Sequence, residues 1–169
     1  NLAYKKGIAP KALSIDDKEM MSEFVEGKHL KKLSRKNSKI LSKNIKKLHS
    51  IKARSKVMDL KKLLPYRHYS LIQKANHFKS DLALTHNDLN SQNIIFTDRV
   101  MLIDFEYAMR GDIYFDLASI LVEFELDGEY FLRSYFKRSR YDLKKIKLYK
   151  QIYKEAVKEW FKKYERGDF

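Results

Sequence analysis

With 169 residues, the chain is one domain or one large piece of a domain, and 44% apolar residues exclude a disordered tail. Lys and Arg number 36 against 22 Asp and Glu, a net charge of +14 that makes electrostatics central to the choice of partner. The absence of cysteine excludes a disulfide framework, a thiolate metal site and a Cys nucleophile and fits a cytoplasmic setting, and no apolar run approaches the roughly 18 to 20 residues that cross a bilayer.

Short apolar stretches at 12–15 and 20–25 surround Asp16-Asp17-Lys18 and predict a hairpin, and Gly27 breaks the pattern. Over 37–49, Ile40, Leu41, Ile45 and Leu48 recur at helical spacing with lysines opposite them, which predicts an amphipathic helix. The lysine-rich stretch 50–62 shows no periodicity. Pro65 can open a new segment, and 66–79 is predicted helical. Three very short apolar runs at 82–85, 94–96 and 100–103 predict strands, the last two joined by a Thr97-Asp98-Arg99 turn. From Asp112 the pattern is helical again, through Leu126 and then over 130–136. A last helix opens at Asp142, a good N-cap, and runs to about Glu165. The class is α+β, mostly α, without repeat or flexible linker.

The densest polar cluster is His86-Asn87-Asp88-Leu89-Asn90-Ser91-Gln92-Asn93, a loop between predicted strands; Met101-Leu102-Ile103 then delivers Asp104 at a strand end. This set has a logic in phosphoryl transfer. Mg²⁺ that neutralises a nucleotide triphosphate takes hard oxygen ligands, which Asn93 and Asp104 can supply. The attacking hydroxyl needs a carboxylate to orient it and accept its proton, a role for which Asp88 is placed. The interval of five from Asp88 to Asn93 equals that in the protein-kinase pattern H-R-D-L-x-x-x-N, which D-F-G follows; here Asn87 replaces the Arg and Glu106 the Gly. His86 reads as a loop-organising residue, Gln92 as a polar contact near the metal, and Asp116 as a helix cap or a binder of the loop's backbone. His29, His49, His68 and His77 are assigned no role.

Residues 86–93 together with Ile103-Asp104-Phe105-Glu106-Tyr107-Ala108 closely resemble the choline/ethanolamine kinase group, bacterial choline kinases included, of the aminoglycoside-phosphotransferase-like, protein-kinase-like family. No A-P-E segment follows Asp104; Phe115-Asp116-Leu117-Ala118 begins within about a dozen residues, as in small-molecule kinases. Upstream, Gly7-Ile8-Ala9-Pro10 and Met21-Ser22-Glu23-Phe24-Val25-Glu26-Gly27 look like the last N-lobe strands and the hinge, so that the resemblance spans Gly7 to Glu129. It implies the C-terminal lobe of a protein-kinase-like fold, with 1–27 a remnant of the N-lobe and 28–169 a helical C-lobe. It also implies ATP and Mg²⁺ as cofactors, with Glu23, Phe24 and Val25 at the nucleotide. The family's phosphate-covering loop, strand Lys and helix Glu have no counterpart before Gly7, and the chain starts at Asn1 rather than Met, so a fragment of a longer kinase is expected.

The acceptor is read from charge. Between Asp104 and Glu129 lie eight acids against one base, Arg110, interleaved with aromatics. Carboxylates beside aromatic faces suit a quaternary ammonium, each desolvated cation–π contact contributing about 0.5 to 2 kcal/mol. Choline is therefore the expected acceptor. The resemblance adds Glu106, Tyr107 and Trp160 as wall candidates, whereas Phe115, Phe124 and Phe131 lie at helical spacing and read as core. The alternatives are an aminoglycoside or thiamine acceptor, and a basic nucleic-acid-binding protein without catalysis, for which lysine runs such as Lys31-Lys32, Lys46-Lys47 and Lys144-Lys145 would be the footprint. The expected partners are ATP and the cationic alcohol, with nucleic acid disfavoured and a homodimer left open.

Overall fold

The structure, a computed structural model, describes residues 2–15, 20–137 and 139–167. The hairpin turn Asp16-Asp17-Lys18 lies outside the described residues. Helix α2 (Arg35–His49) begins two residues before its periodicity, because Ser34 caps it by accepting from the Asn37 amide at 3.2 Å. Its Leu41, Ile45 and Leu48 are fully buried, and a buried Leu of this kind contributes about 1.5 to 3 kcal/mol. Helix α5 (Ile113–Glu123), capped by Asp112, is buried at every position from Tyr114 to Ile120. Helix α7 (Leu143–Arg166) starts at the predicted cap: Asp142 accepts from the Lys144 and Lys145 amides, and Gly167, at φ 69°, ends the helix in the left-handed region. Helix α6 (Gly128–Phe136) lies on α2, and α7 on α5.

Among the described residues there are also three two-stranded antiparallel ribbons: β1 (Ala12–Ile15) with β2 (Met20–Ser22), β3 (Leu82–Thr85) with β6 (Met109–Asp112), and β4 (Ile94–Phe96) with β5 (Val100–Leu102). Strand β2 stops at Ser22, short of the predicted Val25. Strand β6 escaped the sequence reading: Met109-Arg110-Gly111-Asp112 has no apolar alternation, and it is a strand because it pairs with β3. Also unpredicted are the short helices α1 (Leu2–Lys5) and α3 (Leu60–Leu63), the latter capped by Asp59 inside the lysine-rich stretch. The predicted 66–79 helix is a 3₁₀ turn, Tyr66–His68, followed by α4 (Tyr69–Asn76). Gly27 is required by a close approach, since a Cβ there would lie 2.5 Å from Ile95 Cγ2 and 2.8 Å from the Phe96 carbonyl oxygen. The polar loop 86–93 thus joins two different ribbons. They are tied together beside it by His86, the residue after β3, whose Nε2–H donates to the carbonyl of Ile103, the residue after β5, at 2.9 Å.

Candidate active site

The polar loop is anchored from below by one buried carboxylate. Asp116 accepts from the backbone amides of His86 (2.9 Å, Oδ2) and Asn87 (2.9 Å, Oδ1), and Oδ2 also accepts from His49 Nε2 at 3.0 Å. With Nε2–H donating, His49 Nδ1 accepts from the Tyr135 hydroxyl at 2.6 Å, and burial raises the pKa of that tyrosine. His49, given no role by the sequence, is therefore the partner of Asp116. His86 is fully buried, donates Nε2–H to the Ile103 carbonyl at 2.9 Å, and lies 4.6 Å from the Phe105 ring. Asn87 and Asp104 both occupy the left-handed region, at φ 68° and 60°. That conformation costs a non-glycine residue about 1 to 3 kcal/mol, so the surroundings must impose it. Asn87 is held by Asp116 and by its Nδ2 donating to the Tyr107 carbonyl at 2.8 Å.

Above that anchor, Asp88 and Asn93 are joined. Asn93 Nδ2 donates to Asp88 Oδ2 at 2.6 Å and to its carbonyl at 3.0 Å, which leaves Asn93 Oδ1 as the atom able to ligate a cation. Asn90 donates to Asp88 Oδ1 at 3.0 Å and accepts from the amides of Gln92 and Asn93. A single cavity of about 670 Å³ is lined by Asp88, Gln92, Asn93 and Asp104 together with Glu106, Tyr107 and Trp160. His86 lies behind its wall. Glu23, Phe24 and Val25 are not brought to it: Phe24 is 92% exposed, and Glu23 exchanges hydrogen bonds with Lys11 beside the first ribbon.

The run of acids between 104 and 129 is not one patch. Asp112 is buried against Lys145 at 2.7 Å, Asp116 holds the loop, and Glu125, Asp127 and Glu129 pair with Lys32, Arg35 and Arg133. Asp104, Glu106 and Glu123 remain at the cavity, beside Asp88 and with Lys31 as the lone Lys or Arg among its described lining residues. Of the interleaved aromatics, Tyr114, Phe115, Phe124 and Phe131 are core, and Tyr130 lies under Arg35. The sequence reading counted Glu123 only as one of the eight acids and did not single out Tyr153 or Phe161 as lining residues. The Tyr153 hydroxyl donates to Glu123 Oε1 at 2.9 Å, and burial, with Glu123 next, raises its pKa so that it stays a donor. A signal for Tyr153 and Phe161 was available, since Tyr153, Val157, Trp160 and Phe161 share one helical face of α7. Among the described residues, no three of His, Cys, Asp and Glu gather into a metal cluster.

Residues 42–149 match the phosphotransferase enzyme family. A protein LicA homolog from Mycoplasma capricolum subsp. capricolum is 28% identical over 173 residues, covering 90% of this chain and 71% of that protein. A thiamine kinase from Salmonella typhimurium is 39% identical over 66 residues, 38% of this chain and 24% of that protein. Among solved structures, choline kinase LicA from Streptococcus pneumoniae superposes with a TM-score of 0.81 at 23% identity, over 95% of this chain and 68% of that one. The likeness in three dimensions is one of fold, a kinase-like mixed α/β arrangement.

Proposed function

This chain belongs to the phosphotransferase enzyme family, and from that membership we propose that it serves an ATP-dependent transfer of the γ-phosphoryl group to the hydroxyl of a small cationic alcohol, choline, in the cytoplasm. One observation carries the reading: a single cavity joins Asp88, Asn93 and Asp104 to a wall of carboxylates and aromatic rings. In this reading, residues 1–27 are the end of the nucleotide-binding N-lobe and its hinge, with Glu23, Phe24 and Val25 at the nucleotide, and 28–169 form the catalytic C-lobe.

Asp88 orients the acceptor hydroxyl and takes its proton as the oxygen attacks the γ-phosphorus and the bond to the bridging oxygen breaks, releasing ADP, and Asn93 Nδ2 holds that carboxylate in place. Asn93 Oδ1 and the Asp104 carboxylate would hold Mg²⁺, for which an amide oxygen and a carboxylate are fitting hard donors. When bound, the ion offsets the negative charge of the triphosphate. Glu106 and Glu123 supply negative charge for the acceptor's cationic group, Tyr107, Tyr153 and Trp160 supply ring faces, and Gln92 a polar contact. His86 organises the loop from behind.

Thiamine is the second reading, favoured by the local match to a thiamine kinase, and it too is a cationic alcohol. The deciding experiment measures ATP consumption by the full-length gene product with choline, ethanolamine, thiamine and kanamycin as parallel acceptors. Choline-dependent turnover is expected. Turnover with thiamine or kanamycin alone would overturn choline, and turnover with none would overturn the proposal.

A further inference from the structure

On the side of α7 turned away from the cavity, a groove of about 250 Å³ runs between α3, the Leu64-Pro65 segment and the last turns of α7. Its floor is Leu63, Leu64 and Pro65. Its walls are Lys61, Lys62, Arg67, Lys162, Lys163 and Arg166, so six of the ten lining residues are Lys or Arg, against 36 of 169 in the chain as a whole. The general surplus of lysine does not account for that density. Glu159 is the one carboxylate among the described lining residues, and it is taken up by Arg67 and by Lys162 at 3.2 Å, with His68 Nε2 at 3.3 Å. Beside the groove, Tyr66 is 87% exposed and Tyr69 38%, their rings stacked at 5.7 Å and 16°.

We propose that this groove binds the backbone of a single-stranded nucleic acid, with Tyr66 as the platform for a base. A concave cationic track flanked by an exposed ring matches a strand whose phosphates need a channel and whose bases need a stacking face. A bilayer is flat, and would be met by a convex or planar face. The site lies apart from the proposed catalytic residues, so it stands or falls independently of the acceptor.

The test is fluorescence anisotropy of the full-length protein with a labelled single strand of about 15 nucleotides at about 50 to 200 mM salt. Binding is expected to weaken with salt at a log–log slope of up to about −3, as neutralising about four phosphates on a single strand requires, since Glu159 takes up Arg67 and Lys162. Lys61→Glu/Lys62→Glu should weaken it about tenfold or more, and Tyr66→Ala about fivefold or more. Lys36→Glu/Lys39→Glu, the same change of charge on exposed α2, should have little effect, and thermal melts of all three variants report that they fold. Equal losses from both lysine pairs, an unaltered Tyr66→Ala, or binding to phosphatidylserine vesicles without binding to the strand would each overturn the proposal.

Discussion

Asp116→Asn tests whether one buried carboxylate holds the polar loop. Asp116 is fully buried and accepts three hydrogen bonds, from the His86 and Asn87 amides and from His49. An amide in its place keeps one accepting oxygen and turns an NH₂ group toward a donor. With the oxygen at the Oδ2 position, the contacts to His86 and His49 survive without charge assistance, and the Asn87 amide loses its acceptor. Leaving a buried donor unsatisfied costs about 1 to 3 kcal/mol, and weakening the charged bonds adds to that, so a loss of about 2 to 4 kcal/mol is expected. Against a typical total of about 5 to 15 kcal/mol this is large. The assay is urea denaturation, with a fall in midpoint at constant slope. A change below about 0.5 kcal/mol for Asp116→Asn, the level of an ordinary surface substitution, would refute the reasoning.

Asp88→Asn in the full-length enzyme should lower turnover by about 100-fold or more while Mg-nucleotide binding persists, read by steady-state kinetics beside calorimetry. Lys145→Met should destabilise the fold by about 3 to 5 kcal/mol in urea melts, because Asp112 would be left buried without the ammonium now 2.7 Å away. The guanidinium of Arg67 beside Glu159 holds that carboxyl down to about 2. A depressed folded-state value gives stabilisation that is full above the unfolded value near 4.5 and lost as pH falls through about 2. The stability gap between the protein and Glu159→Gln should therefore be constant near neutral pH, shrink below about 4.5 and close by about 2, measured by melts across that range.

Local chemistry determined much of this chain before any tertiary contact. Asp142 followed by apolar residues at helical spacing marks α7, because capping and periodicity act within a few residues, and Thr97-Asp98-Arg99 sets the β4–β5 turn for the same reason. The five-residue interval between Asp88 and Asn93 is likewise local, short enough for their side chains to meet across one loop. What the tertiary structure decided is non-local. Strand β6 exists only through its pairing with β3, nearly 30 residues upstream. The eight acids from Asp104 to Glu129 read as one patch in sequence, yet partners such as Lys32, Arg35 and Lys145 withdraw most of them. Glu123 and Tyr153 reach the cavity because α5 and α7 pack together, and Glu23, Phe24 and Val25, which follow β2, are not among its described lining residues. Which charge meets which depends on the path of the whole backbone, and spacing along the chain carries no record of that path.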